Sequence, residues 1–252
     1  MSQRDSRPLV VHIVYRFDTG GLENGVVNLI NHMPEQAYRH AVIAVNEVSP
    51  AFAQRVHRPG VEFISLRKPP GHGARAWPEL ARVLRRLKPA VVHTRNLAAL
   101  EMQPVAWWLR VPARVHGEHG RDVEDLDGTS RKHQWIRRLY RPFFHRCVAL
   151  SQDLQRYLLQ RVGSPASSVV QIYNGVDTDR FHPAAAGGRE ALEGGPFNDP
   201  ALWVIGTVGR LQKVKAQTLL AQAFVQALRA APQQTAHWRL LVAGDGPLRA
   251  EA

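Results

Sequence analysis

The chain has 252 residues, 44% of them hydrophobic, enough to bury a substantial core and more than one typical domain requires. Lys and Arg number 33 against 21 Asp and Glu, a formal charge of +12 that attracts phosphate-bearing partners of any kind, whether nucleic acid, anionic lipid or a sugar nucleotide. A single cysteine, Cys147, excludes an internal disulfide framework, and no apolar run approaches the ~18 uncharged residues of a spanning helix. The opening "MSQRDSRPLVVHIVYRF" is too polar for a signal peptide, so a reducing cytoplasm is the expected compartment.

The first β-branched run, "LVVHIVY" (9–15), leads into "TGGLENGVVNLI" (19–30), where Leu22, Val26, Leu29 and Ile30 share a helical face. Gly20-Gly21 marks the turn between them. It fits a tight turn or a place where an anion meets exposed backbone N–H groups, and its spacing is neither G-x-G-x-x-G nor G-x-x-x-x-G-K-[ST]. Strand-like runs follow at "HAVIAV" (40–45), "VEFISL" (61–66), "AVVHT" (90–94), "ARVHGEH" (113–119), "CVALS" (147–151) and "SVVQIYN" (168–174). Such short runs, separated by stretches of helical spacing, predict βα units around a parallel sheet. Among the helical stretches, "WPELARVLRRLKP" puts Leu80, Val83, Leu84 and Leu87 on one face, with basic residues outward.

The stretch "HPAAAGGREALEGGPFNDP" (182–200) has no steady apolar period and reads as a linker or surface excursion. The pattern then restarts with "LWVIGTVGRL" (202–211), a helical "AQTLLAQAFVQALRAA" (216–231) and "WRLLVAGDGP" (238–247). One strand-helix-strand unit cannot cover both faces of a parallel sheet, so the second domain is expected to be incomplete within these residues.

Several positions carry candidate chemistry. In "VGRLQKVKAQTLL" (208–220), Arg210, Lys213 and Lys215 crowd a helix entry, where cations oppose the helix dipole and a bound diphosphate would favour them. "VAGDGP" and "IYNGVDTDRF" read first as turns, with Asp177 and Asp179 available as caps. His93, His116 and His119 end or follow strands beside Glu118 and Asp122; they suit acid-base work or hydrogen bonding, and equally a satisfied core. The spacing H-G-E-H is not that of a zinc helix, so no metal is expected. "RKHQWIRRLYRPFFHR" (131–146) interleaves six Lys/Arg with four aromatics, a pattern for an anionic surface or for inward-packed rings with solvated cations.

Taken in order, "GGLE", "HGEHG", "NGVD", "VGRLQKVK" and "VAGDGP" resemble the retaining glycosyltransferases of family 4 (group 1). More narrowly, "HGEHGRDVEDLDG" and "YNGVDTDRFHP" are similar to sugar transferases of bacterial exopolysaccharide and exosortase systems. The resemblance implies an α/β fold of GT-B type with two Rossmann-like, parallel-sheet domains: an acceptor domain at 1–183, a linker at 184–200 and the start of a nucleotide-sugar domain at 201–252. It implies that Arg210 and Lys215 hold the donor diphosphate, with Gly20 and Gly21 meeting it from the other side. His119 matches the family's active-site histidine, with His116 close behind, while Asn174, Gly175 and Asp177 match the interdomain crossover. The family's pair of glutamates in the second domain lies further along than residue 252.

The activity so implied moves a sugar, with retention, from a nucleotide-diphosphate donor to a polysaccharide or lipid-linked acceptor, without metal or separate cofactor. Expected partners are the nucleotide sugar, the acceptor and an anionic membrane surface touching residues 131–146, and not nucleic acid. The alternative is an inactive sugar-nucleotide or nucleic-acid binding module, whose nucleic-acid affinity would fall steeply with salt.

Overall fold

Seven of the runs predicted as strands form one parallel sheet: β1 (Leu9–Val14), β2 (Arg39–Ala44), β3 (Glu62–Ser65), β4 (Val91–Arg95), β5 (Ala113–Glu118), β6 (Arg146–Ala149) and β7 (Val169–Gln171). The structure is a computed structural model that describes residues 6–121, 125–183 and 197–252. It divides into two units, Met1–Arg180 and Phe181–Ala252. The expected linker, 184–200, lies outside the described residues as far as 196.

In the first unit the strand order is β3-β2-β1-β4-β5-β6-β7. The chain builds outward from β1 to β3, then returns to the other side of β1 to lay down β4. This reversal makes a switch point between β1 and β4, the place in an open α/β sheet where a crevice forms at the carboxyl ends of the strands. The helices are α1 (Gly21–His32), α2 (Pro50–Ala53), α3 (Trp77–Leu87), α4 (Asn96–Leu100), α5 (Gln103–Trp108), α6 (Arg131–Tyr140) and α7 (Gln152–Arg156).

Strand alternation sorts the core into two layers. Leu9, Val11 and Ile13 of β1 join Ala41 and Ile43 of β2 under Leu80, Val83 and Leu84 of α3. Val14, Val42 and Ala44 face the opposite way, under Val26, Val27 and Ile30 of α1. Each of these larger side chains contributes about 1.5–3 kcal/mol on burial, which holds a central strand covered on both faces. The helix α3 ends where Lys88 takes a left-handed φ of 49° and its N–H reaches the Leu84 carbonyl at 2.9 Å, just before Pro89. Cys147 is buried in a third cluster with Phe144, Leu154 and Tyr157, and burial pushes its thiol pKa up.

The basic aromatic segment divides its residues in an unexpected way. Phe144 packs into the core with Tyr140 beside it, Trp135 and Leu139 are exposed, and one of the cations, Arg137, is buried. The strand β7 also ends earlier than its β-branched run. Ile172 still donates to the Ala149 carbonyl at 3.0 Å, and the chain then leaves the sheet edge at Tyr173–Asn174.

The second unit is β8 (Trp203–Val208), α8 (Gln217–Ala230), α9 (Pro232–Thr235) and β9 (Trp238–Ala243), with β8 and β9 parallel and Trp203 level with Trp238. The loops leaving the two strands are joined by Gly209 N–H to Ala243 O and Leu211 N–H to Asp245 O, both 2.9 Å. Gly244 has φ +146°, and a Cβ there would overlap the Gly209 carbonyl oxygen. Gly244→Ala is therefore expected to cost roughly 1–3 kcal/mol within this unit. Amide exchange should quicken across β8 and β9 and stay unchanged in β1–β6; unchanged exchange in β9 would refute the role given to this glycine.

Candidate functional site

A cavity of ≈ 500 Å³ opens in the first unit beside the switch point. Its wall comprises Gly25, Asn28, Leu29 and His32 of α1, His93 and Arg95 of β4, Glu118 and His119 at the end of β5, Val148 and Leu150 around the end of β6, and residues 172–177 beyond β7. Gly25 contributes by lacking a side chain, since a Cβ there would already stand 3.8 Å from Asn174 Oδ1.

Glu118 closes β5 and is buried. Arg137 of α6 grips it with two bonds, Nε donating to Oε1 at 2.7 Å and Nη2 to Oε2 at 3.1 Å. A buried carboxylate stripped of its guanidinium is strongly destabilising, so the pair fixes α6 against the end of β5. The ring of His116 approaches the same carboxylate, Nε2 lying 3.3 Å from Oε1.

The polarity of that contact follows from its neighbours. Gln103 Nε2 lies 2.8 Å from the Val115 carbonyl, which only a donor satisfies, and the same amide nitrogen gives its second hydrogen to Thr94 Oγ1 at 2.7 Å. Thr94 then donates its own hydroxyl proton to His116 Nδ1 at 2.9 Å, leaving Nε2–H to face Glu118. Burial by itself raises the Glu118 carboxyl pKa. The His116 hydrogen bond and the Arg137 charge together outweigh it and hold the group at about 2.

His119 is held from a different direction. Its backbone N–H donates to Asn96 Oδ1 at 2.8 Å, and Asn96 has a left-handed φ of 57°, a conformation Asn tolerates. Gly117 makes room for the ring: a Cβ there would meet His119 Nε2 at 2.9 Å and His93 Nε2 at 3.0 Å. Two imidazoles thus converge on the space a side chain would fill. Burial lowers the His119 pKa to about 4, with Arg95 and His116 adding to the effect and Glu118 opposing it. Burial also lowers His93 well below its ordinary value, reinforced first by Arg95 and then by His12. Both rings are neutral near pH 7, and among the described residues His119 Nδ1 and His93 Nε2 have no hydrogen-bond partner.

Of the residues singled out from the sequence, His93, Glu118, His119, Asn174, Gly175 and Asp177 come together on this cavity. Asp177 also caps the next turn, its Oδ1 accepting from Asp179 N–H and Arg180 N–H, both at 3.1 Å. His116 is enclosed behind the cavity, with both ring nitrogens engaged. Gly20 and Gly21 open α1, where Gly20 O accepts from Asn24 N–H at 2.9 Å and the space beside Gly21 is open. The cavity meets α1 about one turn later. Arg210 and Lys215 are exposed in the second unit, on the segment joining β8 to α8.

Asp122 lies outside the described residues. Among those described, no three His, Cys, Asp or Glu side chains gather as a metal site. Arg95, Asn96 and Arg137 were not found from sequence. A signal for the first two existed in "HTRN", a charged and amide pair at the carboxyl end of a strand that is otherwise buried. Arg137 was one cation among six in its segment and carried none.

The sheet order, the switch point and the polar cavity at the strand ends define the first unit as a Rossmann-like α/β domain. Residues 19–180 match the model of Glycosyltransferase Family 4, and the chain belongs to that family. Its fold is of the GT-B class, as in several solved structures. HepE from Anabaena, in complex with UDP and glucose, shares 18% identity at a TM-score of 0.69 over 96% of this chain and 62% of its own. A glycosyltransferase from Rickettsia africae shares 14% at 0.67, covering 94% of this chain and 69% of that one. The lipopolysaccharide outer core galactosyltransferase WaaB, in its apo form, shares 16% at 0.54, with 96% and 62% covered. The chain thus spans less than two thirds of HepE and of WaaB. No curated protein matches it by sequence.

Removing the Arg137 guanidinium leaves Glu118 buried and short of donors, so Arg137→Met should lower stability by about 3–5 kcal/mol. The acid dependence carries a sign. With the folded pKa of Glu118 at about 2 and its ordinary value at 4.5, the stabilisation is full above about pH 5 and is lost as pH falls toward 2. Urea midpoints measured over that range should fall with acid in the parent chain and less steeply in Arg137→Met; parallel curves would contradict the assignment.

Proposed function

We propose that the chain is the acceptor domain and the beginning of the donor domain of a glycosyltransferase. It transfers a hexose or related sugar, with retention, from a nucleotide-diphosphate donor to a polysaccharide or lipid-linked acceptor in cell-envelope or exopolysaccharide synthesis. The observation that carries this reading, beyond family membership, is the convergence of His119, His93 and Asn174 on one cavity at the carboxyl ends of the strands. The complex of HepE with UDP and glucose supports a uridine nucleotide as the donor.

In the proposed reaction a hydroxyl of the acceptor bonds to the anomeric carbon while the bond to the diphosphate breaks. The diphosphate departs with the electron pair and takes up the hydroxyl proton. Negative charge grows on the leaving group, and Arg210 and Lys215 are proposed to receive it, so that no metal or further cofactor is required. His119, neutral near pH 7, hydrogen-bonds a sugar hydroxyl through its unpartnered nitrogen. Gly20 and Gly21 at the start of α1 are proposed to let the donor approach backbone N–H groups closely.

Two charged hydrogen bonds of about 1.5–3 kcal/mol each correspond to roughly 10²–10⁴ in rate. Arg210→Ala combined with Lys215→Ala should therefore slow release of UDP from UDP-glucose by at least about 10²-fold. Activity near that of the parent would remove these two residues from the mechanism.

The acceptor class is supported by exposed tryptophans and cations of the first unit. Among the described residues no helix is long and apolar enough to cross a membrane. Trp107, Trp108 and Trp135 are nevertheless 51%, 61% and 60% exposed. Trp107 stacks edge-on against Phe143, Arg85 lies 4.9 Å over the Trp108 ring, and Arg131 and Lys132 are exposed on the first turn of α6. Interfacial tryptophans with surrounding cations suit an anionic bilayer. Flotation with phosphatidylglycerol vesicles should exceed flotation with phosphatidylcholine vesicles and fall when Trp107 and Trp135 are changed to Ser; equal flotation of parent and variant would exclude these tryptophans.

A further inference from the structure

Arg95 is 4% exposed and lines the cavity. Among the described residues no carboxylate lies within ion-pair distance of it, and its one side-chain hydrogen bond runs from Nη1 to His12 Nδ1 at 3.2 Å. That bond fixes a chain of neutral rings. With Nδ1 accepting from Arg95, His12 Nε2–H donates to His40 Nδ1 at 3.1 Å, so nothing along this line can take up the positive charge. Burial lowers the pKa of the guanidinium to about 9, against a smaller opposing effect of Glu23. A guanidinium has five N–H donors, and among the described residues one of them is occupied. Two carboxylates line the cavity: Glu118 is already taken by Arg137, and Asp177 caps the following turn through Oδ1. A buried cation with no carboxylate in ion-pair contact costs several kcal/mol, and His93 and His119, each with one ring nitrogen unpartnered among the described residues, line the same cavity.

We infer that this cavity receives an anionic group, a phosphate or carboxylate, bound by Arg95 with His93 and His119 as neutral hydrogen-bonding neighbours. The assignment to a substrate rests on the glycosyltransferase reading of the cavity. The group belongs either to the acceptor, as a phosphate or carboxylate near the reacting hydroxyl, or to the donor.

The probe is inorganic phosphate, added to the whole chain and to Arg95→Met. Phosphate should raise the melting temperature of the parent, and Arg95→Met should bind it at least tenfold more weakly while melting no lower than the parent in its absence. A merely structural arginine would instead lower the melting temperature when replaced. Equal phosphate affinity in parent and variant, or a lower melting temperature of Arg95→Met in phosphate-free buffer, overturns the inference. Ring resonances of the parent provide a test that needs no variant: phosphate should shift His93 and His119 and leave His182 in place, and unmoved His93 and His119 signals also overturn it. Adding UDP separates the two sources, because competition with phosphate assigns the anion to the donor and independent binding assigns it to the acceptor. Transfer from UDP-glucose with no phosphate response would defeat this inference alone; a phosphate response without transfer would defeat the proposed reaction alone.

Discussion

A carboxylate removed from water must be met by donors, and Glu118 is the point where this requirement organises the first unit. Its two oxygens draw in Arg137 from α6 and His116 from β5. Through His116 the bonding continues to Thr94 on β4 and Gln103 on α5. Four elements separated in sequence are tied at one end of the sheet. Strand alternation turns Gly117 away from Glu118, and the space beside it is where the rings of His93 and His119 meet.

The same strand end therefore carries two environments. The Glu118–Arg137 pair is satisfied; beside it, on the same cavity wall, His93 and His119 are gathered with a ring nitrogen each left unsatisfied among the described residues. Satisfied buried networks specify structure, whereas unsatisfied ones are where a ligand completes the bonding. Neutral histidines fit this division. Burial and the nearby Arg95 charge both disfavour imidazolium, so the cavity holds hydrogen-bonding capacity and a single buried guanidinium rather than a cluster of competing cations.

Much of the fold was legible because its causes are local. The β-branched runs became strands within a few residues of their expected ends, and Leu80, Val83 and Leu84 faced the core as their spacing required. Edge effects were less legible: among the described residues β7 is the last strand of its sheet, and "IYN" left the sheet although its composition matched the residues before it. The candidate site was legible in part. "HGEHG" marked a strand end bearing chemistry, yet its two histidines divided, His116 into the network and His119 into the cavity. Arg137 looked like its neighbours in a basic helix, and nothing within that helix reveals a carboxylate waiting nineteen positions away.

By itself the sequence determined the alternation of strands and helices, the parallel sheet that follows from it, and the family, because periodicity, turn residues and ordered motifs are properties of neighbouring positions. Which polar side chains share a space follows from contacts between distant positions. Parallel register sets Thr94 against His116 and His12 against His93, and whether a side chain ends in the core or the cavity depends on that register and on the helix packed above it.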